Sequence, residues 1–138
     1  MNEQQESNLK WLAKLTREYQ KSLDQALVPL RLNSSNYYFI MKIHDFGRLP
    51  QEKLVSLTGL NGSNVTRTVQ KLIDQGFVVK EKNEQDRRGF LLALTGVGEA
   101  IYGQVLVAVK DAQATFYSNL SEEEQTIFEQ LLGKLAEE

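Results

Sequence analysis

The chain has no cysteine, which excludes disulfides, zinc–thiolate sites and thiol redox sensing. It has one histidine, His44, so neither a Cys–His mechanism nor a multi-histidine metal centre is expected, and no cofactor is implied. His44 stands on a partly apolar stretch and reads as a packed histidine. No acidic residue lies in an apolar context. Glu18, Asp24 and Asp45 each read as solvated, so the chain is not expected to be an enzyme. A phosphate-binding glycine loop is missing too, because Gly59-Leu60-Asn61-Gly62-Ser63 lacks the closing Gly-Lys-Ser/Thr of a P-loop. No apolar run approaches the length of a membrane span. Residues 1–8 are polar, without the apolar segment of a signal peptide, so a cytoplasmic location is expected.

What is present suits a single α-rich domain. Hydrophobic residues make up 41% of 138, enough for a core and too many for wholesale disorder. The net charge of −2 looks unfavourable for nucleic acid, but it is unevenly spread. Residues 61–88 hold six basic and four acidic side chains, whereas residues 89–138 hold two basic and eight acidic. Exposed charges more than about 10 Å apart are screened at moderate salt, so a polyanion at 61–88 would feel a locally positive field.

Residues 58–95 carry the densest information. Thr58-Gly59-Leu60-Asn61 predicts a tight turn with Asn61 as a helix N-cap. A helix follows over 63–75, with Val65, Val69, Leu72 and Ile73 on one buried face, and Gly76 stops it. Its opposite face carries Ser63, Asn64, Thr66, Arg67, Gln70 and Lys71, with no acid until Asp74. A merely solvated helix usually places Glu near its N-terminus to suit the dipole. Base edges and phosphates call for the residues found here, although a bland exposed helix stays open on this face alone. Strands over 77–80 and 90–94, joined by a polar loop over 81–89, predict a hairpin. Turn, helix and hairpin together make a winged helix-turn-helix, whose helix enters the major groove.

Ser63-x-Val65-Thr66-Arg67-x-Val69-x-x-Leu72, then Gly76-Phe77-Val78, then Asp86-Arg87-Arg88-x-x-x-Leu92-x-Leu94-Thr95 together resemble the MarR family of bacterial transcriptional regulators. The family's wing motif, D-x-R-x-x-x-L-x-L-T, is complete. The resemblance implies that Arg88 enters the minor groove with Asp86 orienting it, and that Arg87 lies near phosphate. Lys71 and Lys82 join Arg87 as expected phosphate contacts. An ordinary surface ion pair between Asp86 and Arg88 is the other reading of that motif. Glu81 and Glu84 depart from a strongly basic wing and put its phosphate grip in doubt.

The flanking segments read as helices. Residues 3–28 form one long helix with a stripe of Leu9, Leu12, Thr16, Tyr19, Leu23, Ala26 and Leu30, ended or kinked by Pro29. Trp11 lies off that stripe. Asn33 is a candidate N-cap, with Asn36 at the capping-box position, for a helix bearing Tyr37, Ile40, Ile43 and His44. Pro50 suits the first turn of the next helix, whose apolar face is Leu54, Val55 and Leu57. After Thr95 a helix carries Ile101, Val105, Val109, Ala112, Phe116 and Leu120. Gly96 and Gly98 weaken its start, and Gly103 is a candidate for a bend or close approach. Ser121-Glu122-Glu123-Glu124 is a capping box opening a last helix with Ile127, Phe128, Leu131, Leu132 and Leu135, a pattern that also resembles the family.

The expected architecture is mainly α with a small β-hairpin wing. It is one winged-helix domain over 1–138, with a DNA-binding lobe over 33–95 and a helical dimerisation region over 1–32 and 96–138. The amphipathic stripes call for a two-fold homodimer. The expected function is a sequence-specific regulator on double-stranded DNA, as a repressor released by a small-molecule effector. A protein-interaction module that keeps the winged helix without DNA binding, and a small helical hydrolase, are the alternatives. The resemblance implies a small aromatic or phenolic anion as effector, with Trp11, Arg17, Tyr37, Tyr38, Met41 and His44 as candidate pocket residues. Packing of those same six side chains in core and interface is the competing reading. No metal and no membrane partner are expected.

Overall fold

A computed structural model describes residues 3–86 and 89–137 and, of their side chains, those from Asn8 onward. Helix α1, Glu3–Leu27, passes into a 3-10 turn, Val28–Leu30, with Pro29 in its first positions. Proline ends the regular helix there because it has no N–H to continue the ladder. The predicted α1 stripe divides in two. Leu23 is buried and Tyr19 and Ala26 pack against the core, while Leu9 and Leu12 are exposed. Leu27, outside the predicted stripe, has no exposed surface at all.

The connector that follows is built from side-chain caps. Asn36 Oδ1 accepts from the Asn33 N–H at 2.9 Å, and Asn33 Oδ1 accepts from the Asn36 N–H at 3.1 Å. This is the reciprocal pairing of a capping box made with two asparagines, and Asn36 is buried. Helix α2, Tyr37–Phe46, starts only after that turn and buries Phe39, Ile40 and Ile43. Asp24 is not simply solvated. Its Oδ1 accepts from the Ser34 N–H at 2.7 Å and ties α1 to the turn.

Strand β1 is only Leu49–Pro50, and its second residue corrects the reading of Pro50 as a first-turn helix residue. Pro50 pairs with Leu91 and serves, in extended geometry, as the N-cap of α3, Gln51–Thr58. Gly59, at φ 71°, ends α3 in the left-handed region. Helix α4, Gly62–Asp74, begins at Asn61, whose side chain accepts from the Asn64 N–H at 2.8 Å. Val65, Val69 and Leu72 are buried, and Leu54 of α3 is wholly so. Truncating Leu54 to alanine would cost about 2–5 kcal/mol by transfer and cavity terms.

The end of α4 is a Schellman arrangement around Gly76, at φ 84°. The Phe77 N–H reaches the Leu72 carbonyl at 3.0 Å, and the Gly76 N–H reaches Ile73 at 2.9 Å. Strands β2, Val78–Lys82, and β3, Phe90–Leu94, form the hairpin, and β3 lies between β1 and β2 in an antiparallel sheet. Thr95 caps α5, Gly96–Phe116, by accepting from the Gly98 N–H. Its own N–H bonds the Phe77 carbonyl at 3.0 Å, and its hydroxyl bonds the Gly76 carbonyl at 2.5 Å. The close approach predicted for Gly103 is found at Gly98 instead. A Cβ on Gly98 would lie 2.1 Å from the Phe77 carbonyl oxygen, whereas one on Gly103 would meet nothing within 4 Å.

Helix α6, Glu122–Ala136, opens with the expected capping box between Ser121 and Glu124. It joins the chain at an aromatic corner, where Phe128 lies 6.0 Å from Phe116 and 5.9 Å from Tyr117 between ring centroids. Beyond that corner its apolar face is open: Ile127, Leu131, Leu132 and Leu135 are exposed, the last at 85%. Among the described residues no helix is long and apolar enough to cross a membrane.

Candidate nucleic-acid interface

Helix α4 turns its polar face outward. Ser63, Thr66, Arg67, Gln70 and Lys71 are exposed, and Asn64 is half-exposed. Its first turn holds no acid, so the positive end of the helix dipole is left for an external anion. The outward side chains are preordered by short contacts. Arg67 donates to the Asn64 side-chain oxygen, and Gln70 Nε2 donates to Asp74 Oδ1 at 2.9 Å. Thr66 donates to the Gly62 carbonyl and accepts from Gln51 Nε2, each at 2.9 Å. Each such exposed bond contributes little net stability.

Gln51 was not singled out from the sequence. With Glu52, Val55, Gly62, Ser63, Thr66 and Arg67 it lines a cleft of ≈ 620 Å³ between α3 and α4. The only hint was its place directly after Pro50, at the start of the supporting helix. Arg48 was also missed. Its Nε lies 2.5 Å from Glu81 Oε2, so the connector before β1 is bonded to β2 across the sheet. This hydrogen bond, with the carboxylate's charge, raises the Arg48 pKa further. Glu81 therefore has a cation of its own and does not simply subtract charge from the wing.

In the wing, Lys82 is exposed at the end of β2, opposite Phe90. The loop turns through Asn83, whose carbonyl accepts from the Asp86 N–H at 3.2 Å, and the Gly89 N–H bonds the Asp86 carbonyl at 3.1 Å. Arg87 and Arg88, the wing cations expected at phosphate and minor groove, lie outside the described residues, and so does the orientation of Arg88 by Asp86.

The six candidate effector residues are dispersed. Trp11 lines an apolar groove of ≈ 680 Å³ between α1, the end of α5 and α6, together with Tyr19, Phe116, Tyr117 and Leu131. None of the other five lines that groove. Arg17 is exposed on α1. Tyr37 and Met41 pack on the core, and burial raises the Tyr37 pKa. Tyr38 carries Lys42 over its ring at 5.2 Å. His44 stacks on Tyr102 at 3.6 Å, and its Nδ1 lies 2.8 Å from Glu99 Oε2. It thereby joins the end of α2 to the first turns of α5.

A MarR family model matches residues 32–90, which takes in α2, the helix-turn-helix and most of the wing. A putative MarR-like transcription regulator from Bacillus cereus superposes with a TM-score of 0.81 at 28% identity, covering 97% of this chain and 96% of that one. Residues 32–90 of this chain carry the MarR family pattern, within a fold similar over its whole length to that of a MarR-like regulator. Two further matches bear on the fold. A cysteine-to-serine mutant of MarR from E. coli, complexed with operator DNA, matches with a TM-score of 0.85 at 24% identity, over 92% of this chain and 91% of that one. A probable transcriptional regulator from Pseudomonas aeruginosa matches with a TM-score of 0.84 at 22% identity, over 90% and 92%. The MarR winged-helix architecture thus extends through nearly the whole chain, including the flanking helices.

Proposed function

We propose that this chain is a homodimeric MarR-family transcriptional regulator that binds a pseudo-palindromic operator and acts as a repressor released by a small-molecule effector. The observation that carries the reading is the outward face of α4: an acid-free, positively polarised first turn followed by Ser63, Asn64, Thr66, Arg67, Gln70 and Lys71. Base edges are read by side chains from that set. Lys71, Lys82 and Arg87 engage phosphates, and Arg88, oriented by Asp86, reads the minor groove. The E. coli protein matched above was crystallised on operator DNA with this architecture. A second copy is supported by the apolar surface left open on α1, α5 and α6, where Leu9, Leu12, Val107, Ile127, Leu131 and Leu135 are all more than half exposed. Two recognition helices then stand about one DNA turn apart, roughly 34–36 Å. The effector on this reading is a small aromatic or phenolic anion, taken up beside α2 near Tyr37, Tyr38, Met41 and His44 and within reach of the dimer helices that carry Trp11 and Arg17. The site of action is the cytoplasm.

The test is selection of binding sites from random duplex DNA, followed by fluorescence anisotropy on selected and scrambled duplexes at two salt concentrations. Sequence-selective binding that weakens steeply with salt is expected, because each phosphate contact adds about 0.9 to the log–log salt slope. Arg88→Ala should weaken specific binding more than about tenfold at fixed salt, within the worth of a desolvated charged contact. A loss under about twofold would remove Arg88 from the minor groove. Weak binding, equal on both duplexes, would make the chain a protein-interaction module that has kept the winged helix.

A further inference from the structure

Thr66 has the most completely committed hydroxyl on the outward face of α4. Its Oγ1 gives its proton to the Gly62 carbonyl, one helical turn back. The same oxygen accepts from Gln51 Nε2, a donor on a different helix. A hydroxyl has one proton and two lone pairs. Thr66 therefore has no proton to offer a base, and half of its acceptor capacity is taken. What remains for a ligand on that face is chiefly its methyl group. Gln51 is held in place: it opens α3, anchored by the fully buried Leu54, directly after Pro50, which is paired in the sheet.

In the major groove the C5-methyl of thymine is the apolar feature of the base edges, and a threonine methyl is a matching contact. We infer that Thr66 reads a thymine methyl group, and that Gln51 is the positioning residue that keeps the Thr66 hydroxyl out of the readout. This rests on the operator-binding reading and refines it. At this step sequence is chosen by an apolar contact, while hydrogen-bonded readout is left to neighbours such as Asn64 and Arg67.

The probe is the tightest duplex that the wild-type protein selects from a random pool, with each thymine replaced in turn by deoxyuridine, which lacks only the 5-methyl group. Binding is measured by anisotropy at fixed salt, with circular dichroism to check that each variant is folded. The wild type should lose about fourfold at one thymine of each half-site, the worth of one buried methyl. Thr66→Val keeps the methyl without the hydroxyl and should keep that discrimination. Thr66→Ser keeps the hydroxyl without the methyl and should lose it. Gln51→Ala should bring the thymine-to-uracil ratio at that position towards one, whereas a purely structural Gln51 would weaken both duplexes alike and leave the ratio unchanged. The inference is overturned if Thr66→Ser discriminates as the wild type does, or if no thymine replacement changes wild-type binding. An unchanged ratio in Gln51→Ala overturns the positioning role. A selection that returns no preferred sequence at all is a different failure, that of operator binding itself.

Discussion

Among the glycines, Gly98 has the least room for a side chain. Any side chain there meets the Phe77 carbonyl oxygen, since a Cβ would lie 2.1 Å away, and that oxygen is held by the Thr95 N–H. Backbone cannot swing aside as a flexible side chain can. Gly98→Ala should therefore destabilise by at least the roughly 1–3 kcal/mol typical of overpacking. Urea unfolding should show a lower midpoint with an unchanged slope, and a midpoint equal to wild type would refute the close approach. Gly103→Ala, with open space around it, should raise protomer stability slightly through helix propensity. Tyr117 makes a pH-dependent prediction. Burial first, and then its hydrogen bond to Glu129 at 3.0 Å, push its pKa up to about 12. The folded chain thus holds this proton more tightly than the unfolded chain, where a tyrosine titrates near 10. The corresponding stability is whole below about pH 10 and is lost as pH rises from about 10 to about 12. Tyr117→Phe, which has no proton to lose, should flatten that part of the alkaline decline in a series of unfolding midpoints. An identical decline in both proteins would mean that other groups cause it.

At the scale of elements, stability depends on how helices begin and end. Ser121 and Glu124 satisfy two N–H groups at the start of α6 reciprocally, so Ser121→Ala should cost about 1 kcal/mol. The cost should appear in thermal unfolding, with α6 fraying from its aromatic corner. The same local chemistry made these ends legible in the sequence. Asn61, Gly76 and Ser121 act through their immediate neighbours, and each stands where its residue type demands. Strand β3 was legible as well, because Phe90–Leu94 is an uninterrupted apolar run. Strand β1 was not: two residues give no periodicity, and Pro50 next to a helical pattern suits a first turn as well as an extended cap. Leu27 was hidden because the stripe was carried at even spacing through Ala26 to Leu30, whereas the chain changes to a 3-10 turn at Val28. On the site, the outward residues of α4 followed from helical spacing alone. Gln51 and Arg48 act through partners 15 and 33 residues away, and no local pattern records a contact that the tertiary fold creates.

On the scale of the whole molecule, an open apolar surface lies between α1, the end of α5 and α6. The apolar groove between α1, α5 and α6 is continuous with the exposed leucines of α6, and about 25 cal/mol per Å² of apolar area favours covering it. Leu131→Glu together with Leu135→Glu should shift the protein to monomers in sedimentation equilibrium while leaving helix content nearly unchanged, because both side chains are exposed in the protomer. Truncation after Asn119 should give monomers or insoluble protein, and a fully folded dimer lacking α6 would refute the assembly. The end of α4 gives this arrangement a mechanical property. Gln75, the last residue of the helix cap, donates to the Arg31 carbonyl at 2.8 Å, while Gly76 and Phe77 are tied to Thr95 at the root of α5. The C-terminal end of α4 is thus bolted to the connector after α1 and to the root of α5, while its N-terminal end packs on α3, so that α3 and α4 would move together. Thirteen residues make a lever arm of about 20 Å, so a tilt of only about 10° at the bolt swings the tip by roughly 3 Å. That is about the length of one hydrogen bond, the distance between engaging a base and missing it.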